Sequence, residues 1–275
     1  MSIHTVTTQS ELDAALAAHR DDPDAEIYIR STAGVWLKIS DTGRCYVQAY
    51  GSSTVQAYDS STVWAYGSST VRSYGSSTVW AYDSSTVWAY GSSMVRSYGS
   101  STVRSYGSST VRSYGSSTVW ASKYVAVHLY TARATVDGGV LIDLTQVDER
   151  DAREWCDIHG AEIVGDTALL YKAVDGEFAA GHVYRLTTYA VGSTVTAPDW
   201  RSDHSCGGGL HLSPRPEQAL AYRPDAARML LVEVDLADLS PIPSLASGDA
   251  AKCKVRACRV LREVALDGSE LAGAA

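Results

Sequence analysis

The chain has 275 residues, 45% of them apolar and 20% charged, with a formal net charge of −8. That length is enough for one or two domains with a real core, and the composition excludes a disordered chain or a disulfide-stapled miniprotein. No apolar run approaches the roughly 20 residues needed to span a bilayer, and 17 Tyr and 7 Trp against a single Phe point to rings placed where a polar tip is useful.

At the N-terminus, Met1-Ser-Ile-His-Thr-Val lacks the basic and apolar stretches of a secretory leader. Five cysteines without framework spacing suit a reducing, cytoplasmic setting. Ser10-Glu-Leu-Asp13 has the form of a capping box and predicts a helix to about His19. Strands are expected at Glu26–Arg30, Gly34–Ile39 and Cys45–Ala49, so that 1–46 forms an N-terminal cap.

From Val47 the chain repeats V-x-[A/S]-Y-[G/D]-S-S-T nine times over 72 residues, and a tenth copy begins at Val119. Each octad reads as a short β-strand followed by turn chemistry. Alternation places Val and Ala/Ser on one face, and Thr, x and Tyr on the other. The x position holds Arg four times, and arginine cannot be stacked unpaired in a dry core, so the Val/Ala face must be inside. Eight residues are too few to close a coil and sixteen suffice. The expected fold is therefore mainly β: a narrow parallel β-solenoid over 47–122 with two octads per coil and each strand stacked on the one sixteen residues later. At about 4.8 Å per coil, about 4.5 coils give a rod of roughly 22 Å.

That register sorts the outward x residues into two columns. One reads Gln48, Trp64, Trp80, Arg96, Arg112, and the other Gln56, Arg72, Trp88, Arg104, Trp120. Tyrosines, among them Tyr66, Tyr82 and Tyr90, run alongside. Two readings stay open. Either the rings only shield the sheet, or they form a surface for a protein, glycan or other polymer partner, since Tyr, Trp and Arg are the usual hot-spot residues. Segment 47–123 carries five basic and two acidic residues in an otherwise acidic chain. Four arginines along a whole rod are a thin stripe for nucleic acid. One outward Thr per octad, interrupted by Trp and Arg, does not make the flat array that ice binding needs.

Beyond the array, 123–160 is expected to be a cap or linker. It keeps the octad period through Tyr130, turns at Asp137-Gly138, and forms a helix over Asp148–His159 that Gly160 stops. Residues 161–275 read as a small α+β domain. Its strands are expected at Thr167–Val174, Val183–Thr187, Arg228–Val234 and Val255–Val264, with a helix from Ser213-Pro to Tyr222. His204, Cys206 and His211, with Cys253 or Cys258, could supply zinc ligands, but no C-x-x-C pair is present and a resident metal is not expected. Asp199 and Asp203 read as residues of a solvated loop.

The series Leu-Tyr-Lys-Ala-Val, Cys-Gly-x-Gly-Leu-His, Ala-Leu-Ala-Tyr, Leu-Val-Glu-Val and Val-Leu-Arg-Glu-Val resembles an uncharacterised domain of actinobacterial and phage proteins, which similar octads accompany. A phage origin would imply a virion-associated setting. More distantly, Gly-Gly-Leu-His-Leu-Ser followed by that helix and strand is similar to the core of ADP-ribosyltransferases. This second resemblance implies an NAD site at Tyr171, Lys172, Gly208, Gly209 and His211, with Glu263 as the catalytic acid and His211 as a second catalytic candidate. His211 would stand where those enzymes carry Tyr. Without that chemistry no cofactor is expected, and the leading reading is a non-enzymatic structural or interaction protein.

Overall fold

The computed structural model describes residues 2–182, 185–245 and 249–271, excluding the side chains of His182 and Arg185. The chain divides into two compact units, 1–146 and 147–275.

The first unit is a parallel β-solenoid of about seven turns over residues 26–143. Strand β1 (Ser2–Val6) precedes helix α1 (Gln9–His19), followed by β2 (Ala25–Ile29) and β3 (Trp36–Ile39). The octads supply β4 (Tyr46–Ala49), β5 (Thr54–Ala57), β6 (Thr62–Ala65), β7 (Thr70–Ser73), β8 (Thr78–Ala81), β9 (Thr86–Ala89), β10 (Met94–Ser97), β11 (Thr102–Ser105) and β12 (Thr110–Ser113). Strands β13 (Thr118–Leu129) and β14 (Thr135–Asp143) close the series. One face runs β1-β2-β4-β6-β8-β10-β12 and the other β3-β5-β7-β9-β11, with β13 bridging the two. Val63 pairs with Val79 and Trp64 with Trp80, sixteen residues apart as the repeat requires.

The inside face is the Val/Ala face, and Val47, Val63, Val79, Val95 and Val111 are all fully buried. The rod exceeds the octads at both ends, because β2 and β3 already stack on β4 and β5 and β14 adds to β13. Two local expectations are corrected. The capping box of α1 is Thr8 with Glu11, not Ser10 with Asp13. Asp137-Gly138 makes no hairpin turn: it lies within β14, where Gly138 and Gly139 at φ 79° and 75° accompany a register slip against β13 between Ala121 and Ala126.

Each turn has one left-handed position, taken by Gly in most octads and by Asp59 and Asp83 at φ 52° and 54°. Asp is among the few L-residues that visit this region readily. The second serine of the turn points inward, which the period-two pattern does not show. Ser61, Ser77, Ser93 and Ser109 donate to the carbonyl of the Tyr three residues earlier, at 2.7–2.9 Å. On the opposite edge the hydroxyls of Ser69, Ser85 and Ser101 are buried with no partner. Ser85→Ala is therefore expected to be neutral or to stabilise by up to ~1 kcal/mol, whereas Ser77→Ala should cost ~1 kcal/mol. Thermal melts of the two variants would check this, and equal losses would contradict it.

In the second unit, α2 (Ala152–His159) is shorter than expected. It starts at the Asp151 N-cap, whose carboxylate accepts from Arg153 and Glu154 N–H, and it ends at left-handed Gly160. Strands β15 (Glu162–Val164), β16 (Thr167–Val174), β17 (Ala179–His182), β18 (Arg185–Thr188), β19 (Thr194–Thr196) and β20 (Leu210–Leu212) lead to α3 (Pro216–Tyr222). After it come β21 (Arg228–Asp235), β22 (Leu239–Ile242), β23 (Lys252–Val255) and β24 (Ala257–Val264). The main antiparallel sheet has the order β15-β16-β21-β24-β19, and a smaller one β20-β23-β22. Trp155, Leu170, Leu230, Val232 and Cys253 fill one side, while Ala173, Ala219, Met229 and Val264 fill the other beneath α3.

Three further expectations change here. Helix α3 begins at Pro216, with Arg215 as N-cap, rather than at Pro214. The strand expected from Val255 is split at Arg256, which puts Cys253 on β23 and Cys258 on β24. Of the strand expected at Val183–Thr187, residues 183–184 lie outside the described residues and the rest belongs to β18. Among the described residues, no helix is long and apolar enough to cross a membrane.

Candidate functional site

Parallel stacking brings like side chains together, and the solenoid turns the sequence columns into ladders. Tyr50, Tyr66, Tyr82, Tyr98, Tyr114 and Tyr130 form one stack with centroids 4.6–5.1 Å apart. Tyr58, Tyr74, Tyr90 and Tyr106 form another at 4.9–5.2 Å. Burial within the stack and the neighbouring phenols push the Tyr82 hydroxyl up to about 12, so it stays protonated.

The first x column continues from Gln48 through Trp64, Trp80, Arg96 and Arg112 to His128. The second runs Lys38, Gln56, Arg72, Trp88, Arg104, Trp120. Cations meet rings at several steps: Arg96 sits 4.2 Å from the Trp80 ring, Arg72 lies 4.3 and 4.6 Å from Trp36 and Trp88, and Arg104 is 4.8 Å from Trp120. Trp64 stacks on Trp80. Each of Trp64, Trp80, Trp88 and Trp120 thus has at least one ring face engaged by an arginine or a neighbouring ring. Arg72, Arg96 and Arg112 each have a buried Nε without a hydrogen-bond partner. Among the described residues, none of the four arginines is in ion-pair contact with a carboxylate.

The second unit contains a cleft of about 670 Å³ whose lining includes Tyr171, Lys172, Gly208, Gly209 and His211. What joins them is a bridge between Tyr171 and Ser213, with hydrogen bonds of 2.8 and 3.0 Å in both directions. This bridge sets Lys172 beside β20, and its ammonium donates to the His211 carbonyl at 2.7 Å. Burial pushes the Lys172 ammonium down to about 8. Burial and the nearby Lys172, Lys252 and Lys254 charges pull His211 down to about 4, so its imidazole is neutral at pH 7. His211 Nε2 accepts the Gly207 N–H at 3.2 Å and lies 3.7 Å from the exposed Cys206 thiol.

The loop over the cleft is fixed from below by Lys254. This lysine is completely buried, its ammonium is bound to Asp203 and to the Gly207 carbonyl at 3.1 Å, and it faces the Trp200 ring. Nothing in the local pattern marks Lys254 as buried, and its carboxylate partner is 51 residues away in sequence.

Glu263 is not among the residues that line the cleft. It shares a row across the sheet with Leu230 and Lys172, two strand spacings or about 10 Å away, and both its oxygens accept from Arg228 at 2.9 Å. The zinc alternative is not assembled. His204 Nδ1 contacts the Pro241 carbonyl, Cys253 is fully buried, and among the described residues no three His, Cys, Asp or Glu side chains are grouped to hold a metal.

Residues 168–271 match a family described as Domain of unknown function (DUF7666). The match covers the cleft and most of its sheet but not the solenoid. No curated protein and no solved structure matches the chain.

Proposed function

We propose that this chain is a non-enzymatic interaction scaffold, in which the solenoid presents Trp/Arg/Tyr ladders to a protein or polymer partner. The observation that carries this reading is the set of four ladder arginines, which stand in register along the rod without a carboxylate partner among the described residues. Shielding the sheet would need the rings but not these uncompensated charges. Guanidinium forks suit carboxylate or sulfate oxygens. Ring faces already engaged by arginines or neighbouring rings leave few free platforms for a partner that stacks flat, as nucleobases do, and the guanidinium groups, unpaired among the described residues, favour an acidic protein surface as partner.

An NAD-dependent reading would need an acid beside the bound substrate. The cleft gathers the residues for a ligand, but the Glu263 carboxylate is committed to Arg228, which favours the scaffold.

The test compares wild type with a variant carrying Arg72→Gln, Arg96→Gln, Arg104→Gln and Arg112→Gln. Binding to immobilised polyglutamate, heparin and single-stranded DNA is measured at low and physiological salt. Polyglutamate binding that falls at least tenfold in the variant is expected. Equal binding by the two proteins, no binding to polyglutamate, or a clear preference for DNA would overturn this reading.

A further inference from the structure

We infer that the cleft of the second unit is a binding site for a small organic anion, whose carboxylate or phosphate group docks on Lys172.

Residues 147–275 carry 13 basic and 20 acidic side chains, so this unit is acidic as a whole. The cleft wall reverses that balance: Lys172, Arg223 and Lys252 line it, against Asp199 and Asp225. Arg223 is already compensated by Asp175 and Asp225, at 3.6 and 4.0 Å. Among the described residues, neither lysine is in ion-pair contact with a carboxylate. Lys172 gives one hydrogen bond to a carbonyl and faces the Tyr189 ring at 5.2 Å, while Lys252 lies 4.2 Å from the Tyr222 ring. A half-buried ammonium with three donors and one neutral acceptor is under-compensated, and an anion is what completes it.

The remaining walls define the rest of the ligand. The volume lies in the range of small-molecule sites. Tyr171 and Tyr222 provide apolar ring surface, with the buried Tyr189 behind Lys172, which suits a flat or cyclic organic body. His211 is held neutral, and because its Nε2 accepts from Gly207, the ring proton sits on Nδ1. The imidazole therefore offers no second full charge, and the site suits a ligand with one or two negative charges rather than a polyanion.

The test uses the full chain and three probes: inorganic phosphate, pyrophosphate and benzoate. The first two report phosphate chemistry and the third a carboxylate on an aromatic body. Amide chemical shifts are followed by NMR and affinities by calorimetry. At least one probe should shift the Gly207–His211 amides saturably, with a dissociation constant in the millimolar range or tighter. That affinity should fall at least tenfold in Lys172→Met and about threefold in Lys252→Met. The methionine keeps the apolar stem, and an unchanged amide spectrum outside the cleft shows that the variant is folded. If Lys172→Met instead unfolds, the wild-type shifts decide alone. No shift at 207–211 with any probe, shifts confined to other surfaces, or unchanged affinity in a folded Lys172→Met would overturn the inference. None of these outcomes depends on the solenoid binding a partner.

Discussion

Replacing Val87 with Asp is expected to abolish cooperative folding of the solenoid unit, whereas Trp88→Gln one residue later should leave it folded. Val87 is fully buried and stacks between Val71 and Val103. A carboxyl group there has no donor to meet and no water to reach, and it should cost on the order of 4 kcal/mol or more. The loss should spread, because each coil of a solenoid is stabilised by its neighbours rather than by a separate core. Trp88 points the other way, and the same column holds Gln at position 56. Its replacement forfeits the Arg72 contact, worth about 0.5–1 kcal/mol, and some shielding of the strand. Circular dichroism melts of the two variants would separate these outcomes. A Val87→Asp protein that melts like wild type would mean that the inside and outside faces have been exchanged.

The second large effect is expected at Asp203. Asp203→Asn leaves the ammonium of Lys254 completely buried with weakened compensation, so the melting temperature of the second unit should fall by several degrees. Lys254→Met should cost less, because it removes the buried charge and leaves the half-exposed Asp203 to water. The pH dependence follows from the same pair. Hydrogen bonds from Lys254 and Ser205 hold the Asp203 carboxyl well below the usual carboxylate range. A depressed folded-state pKa contributes stability that is complete above the unfolded value, about 4, and is lost as pH falls towards the folded one. The gap between wild type and Asp203→Asn should thus be constant from pH 7 to about pH 4 and narrow below it. Thermal melts across that range would check this, and a gap that widened on acidification would refute the assignment.

The solenoid was legible because one physical constraint decided its parity. Four arginines at the same position of the octad cannot be buried, so the valines must be, and the sixteen-residue stacking then sorts the Trp and Arg of that position into two ladders. The inward turn of Ser69 or Ser85 was hidden, since either serine of a Ser-Ser pair can face in and only the turn's backbone chooses. Asp137-Gly138 misled for a related reason. The pair is a hairpin signal in an antiparallel setting, but in a parallel coil the left-handed glycines absorb a register slip inside β14. In the second unit Tyr171, Lys172, Gly208, Gly209 and His211 do line one cleft, but they were grouped by resemblance, and no spacing rule joins residues 40 apart. The Lys254–Asp203 pair was invisible because a lysine in a short strand reads as solvent-facing until the fold covers it.

The two-octad coil also gives the rod a phase. Removing sixteen residues from its middle would shorten it by one strand spacing, about 4.8 Å, and return every remaining side chain to its own column. Removing eight would shift the phase by half a period. Beyond the cut, Arg104 and Trp120 would continue the column of Trp64 and Trp80, while Arg96 and Arg112 would cross to the other side. Changes in repeat number therefore fall into two kinds. Even steps change only the length of the ladders, and odd steps also rewrite the order of rings and charges along both faces.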